Sequence, residues 1–155
     1  MQSADACEEN GLTVVQLPAG VRDQVRAKAP PLADWIGNPV DQSILAGSGL
    51  SSNGLLELMF GSDSYDMAIA NVGEDWFFGR ADADERLRHA CGRLAAIVTA
   101  SAKPIAVVLG ATESAVSWQR QLVDDIRDSF VAKGVAVFPS VERAAFVLGR
   151  LVCQP

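Results

Sequence analysis

Short apolar runs alternate with longer amphipathic stretches along this sequence. Four of the runs stand beside Gly or Pro and predict buried strands, because continuous apolar runs of about four to eight residues between turn residues are typical of strands covered on both faces. These runs are 13–17, 67–72, 105–109 and 135–138.

Three amphipathic stretches in the second half of the chain predict helices. Apolar residues recur every three or four positions over 84–98, 114–130 and 140–152, which gives each stretch one apolar face. Gly134 is well positioned to end the second helix in a left-handed conformation. Ser140 is a suitable N-cap for the third helix.

The order of these elements predicts the fold class. Strands that alternate with helices predict βαβ crossovers and a mostly parallel sheet with helices on both faces. We therefore predict an α/β fold, a three-layer α/β/α sandwich. The glycine- and serine-rich segment 47–54 predicts a flexible polar loop. No internal repeat divides the chain, so we expect residues 1–155 to form a single domain.

Composition narrows the functional classes. Of the 155 residues, 49% are hydrophobic, which is enough for a core, and the net charge is −6 with 13 scattered basic residues. This balance argues against nucleic-acid binding, which needs clustered Lys and Arg. No apolar stretch approaches the roughly 20 residues of a membrane span, and residues 1–10 lack the features of a signal peptide. Cys7, Cys91 and Cys153 form no CxxC pair, so we expect reduced thiols, no metal site and a cytoplasmic protein.

Four segments follow one another in an order typical of one enzyme family: ADACEENGL (4–12), GNPVD (37–41), AKPIAVVLG (102–110) and GVAVFPSVERAAFVLGRL (134–151). They resemble a helix, the NPVD loop, a strand that begins with Lys-Pro, and the closing strand and helix of the NDP-forming acyl-CoA synthetases, the superfamily that includes succinyl-CoA synthetase. Each motif alone is common. Their order and spacing carry the resemblance.

The resemblance implies a fold and an activity. The matching part of the family is its second succinyl-CoA-ligase-like domain, which is flavodoxin-like. The complete ATP-dependent ligases form a carbon–sulfur bond by way of a phosphohistidine and use CoA and ATP or ADP with Mg. We expect this chain alone to bind none of these cofactors, because the CoA-binding and ATP-grasp domains are absent from it; these domains are the expected partners.

The sequence departs from the family pattern at its beginning. The family has a strand and a Gly-Gly loop before the helix that here begins near Ser3, so the first strand of the sheet is expected to be missing. That strand would lie between the second and third strands, and its loss would leave unpaired edges that are prone to association. We expect a rearranged local segment, or a second copy of the chain in a homodimer, to close this gap.

The candidate binding residues are Asn38, Pro39, Val40 and Asp41, together with Gly110 after a strand. Pro39 favours an extended Asn38, and the Asn38 and Asp41 side chains can bond nearby backbone N–H groups. The NPVD loop is either a turn that supports a strand end or a surface that faces the phosphohistidine or CoA. A carboxylate would repel phosphate, so we expect Asp41 to orient the backbone or a partner's histidine.

No catalytic residue can be assigned from the sequence. His89, the single histidine, lies off the apolar stripe of its helix and does not match the family's phosphohistidine motif. Segment 74–78 follows a predicted strand and either covers the sheet edge or meets a partner. The chain is therefore expected to be a synthetase domain that is inactive alone. The alternative is a non-catalytic scaffold that assembles with separate CoA-binding and ATP-grasp subunits.

Overall fold

The chain folds around a small parallel sheet. The computed structural model describes residues 2–45, 47–110 and 116–152. Its three strands are β1 (Ala68–Asn71), β2 (Ile105–Val108) and β3 (Val137–Phe138). The helices of the described residues are α1 (Gln2–Glu9), α2 (Ala19–Lys28), α3 (Gln42–Leu45), α4 (Ser52–Phe60), α5 (Asp75–Phe78), α6 (Ala83–Ala100), α7 (Ser117–Ala132) and α8 (Val141–Val152), with a 3-10 turn at Pro30–Leu32.

The central strand of the sheet is β2. It pairs in parallel with β1, where Ala68 lies opposite Ile105, and with β3, where Val107 lies opposite Val137. All four residues of β2 are buried, as expected for a strand covered by neighbours and by both helical layers. Three of the four predicted strands are thereby confirmed within two residues at each end.

Helices cover both faces of the sheet, so the predicted three layers are confirmed. On one face, Val107 and Leu109 pack with apolar residues of α6 and α7, among them Leu87 and Phe130. On the other face, Ala106 and Val108 pack against Ala144 and Leu148 of α8. Helix α1 packs in turn against α8.

The predicted helices follow their apolar stripes. Helices α6 and α8 match the predicted stretches closely, and α7 begins at Ser117, whereas the predicted start at Ser114 lies outside the described residues. The Ser140 Oγ accepts the backbone N–H of Arg143 at 3.3 Å, as an N-cap does. Gly134 follows α7 with a φ of 73°, the left-handed conformation expected there.

The strand predicted at 13–17 is wrong. This segment has no regular secondary structure and lies between α1 and α2. Side chains bond its carbonyl groups in place of a neighbouring strand: the Asn38 Nδ2 donates to the Val15 carbonyl at 2.8 Å, and the Tyr65 hydroxyl donates to the Gln16 carbonyl at 3.4 Å. An apolar run therefore takes part in a sheet here only where a partner strand lies beside it.

The loop predicted at 47–54 is too long. Residues 52–54 form the first turn of α4, and Ser51 is the N-cap, because its Oγ accepts the Gly54 N–H at 3.1 Å. Gly47 and Gly49 do have positive φ angles, as a glycine-rich turn requires.

A second apolar cluster lies in the first part of the chain. It joins α2, the 3-10 turn and α4, with Val25, Ile36 and Leu55 among its most buried members. Tyr65, just before β1, belongs to the same cluster. The first part of the chain thus contributes a helical layer with its own core beside the sheet.

Candidate functional site

A cavity of about 800 Å³ lies along β1. Seven consecutive residues, 67–73, line it. Successive side chains of a strand point to opposite faces, so a cavity that touches all of them follows the strand's edge. Since β2 occupies one edge of β1, the cavity lies along the other edge.

Irregular chain and residues of six helices form the other walls of this cavity. Leu12, Thr13 and Val14, which follow α1, line it. Helix residues line it above and below: Ser3 and Cys7 of α1, Leu55, Leu56 and Met59 of α4, Ala90, Cys91 and Leu94 of α6, and Val141 and Leu148 of α8. The cavity thus lies along the edge of β1 where a fourth strand would pair.

This arrangement tests one of the two ways in which the expected gap in the sheet could be closed. Within the residues that the structure describes, β1 is an edge strand and no rearranged segment pairs with it. Closure of the gap by a local segment of the same chain is therefore wrong for these residues. Closure by a second copy stays a prediction.

The predicted loop at Asn38 borders the cavity and is fastened to the irregular segment. The peptide bond between Asn38 and Pro39 is cis. The Gln16 Nε2 donates to the Asn38 carbonyl at 2.8 Å, and the Asn38 N–H donates to the Gln16 Oε1 at 3.3 Å. With the bond from the Asn38 side chain to Val15, three hydrogen bonds hold the loop in place.

Asp41 uses its carboxylate on its own chain. The Oδ1 accepts the backbone N–H of Ser43 at 2.8 Å, which places Asp41 as a cap for α3. Hydrogen bonds from the Ser43 side chain and backbone hold the pKa of Asp41 below its usual value, so it is a stable anion. All four predicted loop residues, Asn38 to Asp41, line the cavity.

Gly110 lies elsewhere, at the carboxyl end of β2, and does not line the cavity. Its neighbours are Glu74 and Arg127. A Cβ at position 110 would come within 2.7 Å of the Glu74 Oε1, so the glycine allows this carboxylate to approach the backbone. The Arg127 Nη2 donates to the Gly110 carbonyl at 3.2 Å.

Glu74 is the buried charged residue of the described chain, with 7% of its surface exposed. Burial raises its pKa above the ordinary value, while hydrogen bonds from its own N–H and from the Gly110 N–H, together with Arg127, act in the opposite direction. Sequence reasoning singled out segment 74–78 but gave Glu74 no role. The signal was present, because an acidic residue two positions after a parallel strand lies where neighbouring strands end.

Two thiols line the cavity, Cys7 and Cys91. Burial, together with the charge of Glu74, raises the pKa of Cys91 to about 12. Burial also raises the pKa of Cys7. Both thiols are therefore protonated and poorly nucleophilic at neutral pH.

The remaining residues considered from the sequence are His89 and those of segment 74–78. His89 is exposed on α6. Segment 74–78 forms α5 with its preceding residue, and Phe78 makes an edge-to-face contact with Trp118 at 5.8 Å between ring centroids. Trp76 is 53% exposed and lines the cavity. Segment 74–78 therefore both covers the sheet edge and presents an aromatic side chain to solvent.

Charged side chains are few among the residues that line the cavity. Among the described residues, no group of three or more His, Cys, Asp or Glu side chains could hold a metal ion. Three charged residues line the cavity, namely Asp41, Arg80 and Arg86, and Asp82 pairs with Arg86 at 2.5 Å. One carboxylate and two guanidinium groups thus line the cavity, and one of the guanidinium groups is ion-paired.

Two further findings do not concern the cavity. No helix in the described ranges combines the length and the apolar character that crossing a bilayer requires. A scan against protein-family models and searches of curated proteins and of solved structures found no match to this chain.

Proposed function

We propose that this chain is a succinyl-CoA-ligase-like, flavodoxin-type domain of an NDP-forming acyl-CoA synthetase. It contributes a docking surface for the phosphohistidine step and contains no complete active site. The CoA site and the ATP or ADP site with Mg belong to CoA-binding and ATP-grasp partners, because the cavity residues of this chain do not fit these polyanions.

One observation carries the proposal: segments that resemble the family, far apart in sequence, assemble around one cavity. Cys7 and Leu12 come from the first segment, loop residues 38–41 from the second, and Val141 and Leu148 from the fourth. The third segment supplies β2, next to the strand that lines the cavity. Such convergence is expected of motifs that belong to one domain.

The docking surface is formed by those residues of the loop at 38–41 whose side chains make no hydrogen bond within the chain. Asn38 and Asp41 are committed to Val15, Gln16 and Ser43, so their role is to fix the loop. Val40 has an apolar side chain and lines the cavity. A partner domain is therefore met by a rigid, mostly apolar loop.

The test is reconstitution of the ligase reaction. The purified chain is assayed for loss of free CoA thiol with ATP, Mg and a panel of carboxylic acids, alone and with separately purified CoA-binding and ATP-grasp subunits. We expect turnover with the partners and none without them. Acyl-CoA formation by the chain alone would contradict the proposal, as would failure of the partners to bind the chain.

A matched pair of variants identifies the surface. Val40→Asp introduces a charge at the loop, and Val131→Asp introduces the same charge on α7, where the side chain is already 61% exposed. We expect Val40→Asp to weaken partner binding about tenfold or more and Val131→Asp to leave it unchanged. Equal effects of the two variants would remove the loop from the interface.

A scaffold subunit is the second candidate, and the internal hydrogen bonds of Asn38 and Asp41 favour it. In that case the chain assembles with the same partners but takes no part in the reaction. The two candidates differ in rate: a scaffold raises the affinity between partners without changing turnover of the complex once it is saturated, whereas the synthetase domain is required for turnover itself.

A further inference from the structure

The backbone of β1 faces the cavity at alternate residues. Ala68 donates its N–H to Pro104, and Val72 donates its N–H to Val108, so the even-numbered residues of β1 bond to β2. In a parallel ladder, a residue between two such residues, here Ile69 after Ala68, directs its N–H and C=O groups to the opposite edge. Ile69 is thus positioned to pair with a strand inside the cavity.

The dimensions of the cavity are those of one strand. Its β1 wall covers residues 67–73, which at about 3.3 Å per residue span roughly 20 Å, the length of an ordinary strand. Helices close both faces, with Leu94 among the apolar residues on one and Leu148 on the other. An occupant must therefore be apolar on both faces and bond through its backbone at the edge.

We propose that this cavity binds an extended apolar segment of a partner polypeptide, which adds to the sheet as a fourth strand parallel to β1. Strand addition of this kind obtains affinity from main-chain hydrogen bonds and specificity from side-chain pockets. The proposal concerns the cavity alone and holds whether or not the chain belongs to a synthetase.

The walls of the cavity argue for a single extended segment and against a second folded copy. Helix α6 borders this edge on one face of the sheet and α8 on the other, and the same edge of a second copy would bring its own α6 and α8 against them. An unfolded segment of a partner needs only the width of one strand, about 4.8 Å from β1.

The charges along the cavity indicate the flank of an occupant that runs parallel to β1. Arg80 and Arg86 follow β1 by way of α5, so they lie at its carboxyl end, and Arg86 already pairs with Asp82 there. A strand parallel to β1 ends there, beside these arginines. The partner segment is therefore an apolar run with an acidic residue directly after it, which a guanidinium can bind.

The experiment uses a panel of fluorescein-labelled peptides of six valine and isoleucine residues in varied order, each followed by a glutamate. Binding to the full chain is followed by fluorescence polarisation. Two N-methylated forms of the best binder, each methylated at every second backbone nitrogen in opposite registers, provide the matched control. One register should lose affinity roughly tenfold or more, and the other should retain it, because only alternate N–H groups bond β1.

Hydrogen exchange and charge reversal complete the test. Bound peptide should slow amide exchange at Ile69, and Arg80→Glu should weaken the glutamate-ended peptide but not a lysine-ended one. Arg120→Glu, at an exposed position on α7, is the control for net charge. The proposal is overturned if no peptide of the panel binds, if both N-methyl registers bind equally, or if Ile69 is protected by a dimer of the chain without peptide.

Discussion

At the scale of single residues, a close contact joins Glu74 and Gly110. A buried carboxylate touches the backbone of the neighbouring strand, and Arg127 binds the carbonyl of the same glycine. Three elements are thus tied together at the carboxyl edge of the sheet, namely the ends of β1 and β2 and helix α7. Burial of the acid raises its pKa, so this contact depends on pH.

Glu74→Gln should change how stability depends on pH. The folded-state pKa of Glu74 is raised, so the native chain binds the proton more tightly than the unfolded chain, and the free energy of unfolding falls as pH rises through this range. Glutamine binds no proton in this pH range, so its contribution to stability does not change with pH, and its side-chain oxygen can still accept the Gly110 N–H. Urea unfolding from about pH 4 to pH 7 should therefore show the variant gaining stability relative to the wild type.

The exposed Glu57 provides the control for this prediction. Glu57→Gln removes the same charge at a position on α4 that contacts Arg93 at 3.7 Å on the surface. Its stability relative to the wild type should vary less with pH over the same range. A Glu74→Gln variant that follows the wild type in parallel at every pH would show that burial of this acid does not affect stability.

Cys91 should resist alkylation in the folded chain. With a pKa of about 12, only ~10⁻⁴ of its thiol is ionised at pH 8, and the side chain is buried. Mass spectrometry after iodoacetamide treatment should show Cys7 modified before Cys91, because Cys7 is less buried. In urea the two should react at similar rates. Faster modification of Cys91 in the native chain would contradict this assignment.

At the scale of elements, helices α1 and α8 approach each other most closely at Gly149. A Cβ at this position would collide with the carbonyl group of Asn10, which follows α1. The absence of a side chain is therefore what permits α8 to lie against both the sheet and α1. The same helix packs Ala144 against the sheet, and both Ala144 and its neighbour Ala145 are fully buried.

Gly149→Ala and Gly92→Ala form a matched pair that tests this contact. Both glycines lie inside helices, where alanine is intrinsically better by about 1 kcal/mol. A Cβ meets nothing within 4 Å at Gly92, so that variant should be more stable. Gly149→Ala should be destabilised by about 1–3 kcal/mol because backbone must move. Urea unfolding of the two variants measures the difference, and a stabilised Gly149→Ala would contradict the close packing of α1 on α8.

Asn38→Ala should destabilise the first half of the chain. The change removes the bond from Nδ2 to the Val15 carbonyl and leaves that carbonyl without this donor, at a cost of about 1 kcal/mol. Asn38→Asp keeps the shape but sets a carboxylate against the carbonyl, so it should cost at least as much. Thermal unfolding monitored by circular dichroism compares both with the wild type; an unchanged midpoint for both would mean that the loop does not depend on this bond.

The elements differ in how far sequence predicts them. The runs at 105–109 and 135–138 became strands because they lie next to each other and between helices. The run at 13–17 has the same character but no partner strand, so propensity alone did not decide its structure. The start of helix α4 was not predicted because its N-cap, Ser51, lies in a glycine- and serine-rich segment of the kind that usually forms loops.

The candidate site was predictable only in part, for the same reason. The polar residues of the loop at 38–41 indicated a turn, and the structure has a turn fixed by Asn38 and Asp41. The cavity beside that turn could not be read from any local pattern, since its walls come from seven separate parts of the chain. Gly110 was selected as a strand-end glycine, but its partner Glu74 lies on a different strand end and was not assigned.

At the scale of the whole molecule, we expect the protection of backbone amides from hydrogen exchange to fall from the centre of the sheet to its cavity edge. Strand β2 is bonded on both sides, and Val107 is fully buried. Strand β1 is bonded by a strand on one side only in the described residues, and its residues are partly exposed. Local opening therefore needs less free energy at β1 than at β2.

Native-state hydrogen exchange tests this order. The Val107 amide, which bonds to the Ala136 carbonyl, should exchange only on global unfolding, whereas the Ile69 amide should exchange faster by at least one order of magnitude. Low concentrations of urea should accelerate amide exchange at Val107 and leave the exchange rate at Ile69 little changed. Equal protection at the two amides would indicate that the cavity edge of β1 is closed in solution.

The parallel register of the sheet also determines the order of events in folding. Ala68 meets Ile105 and Val107 meets Val137, so each strand pair closes a loop of roughly thirty residues or more, and the closed segments contain α6 and α7. The chain entropy lost in closing such loops is recovered only after these helices have formed and packed. The transition state for folding should therefore contain α6 and α7 against a partly formed β2, with β1 joining late.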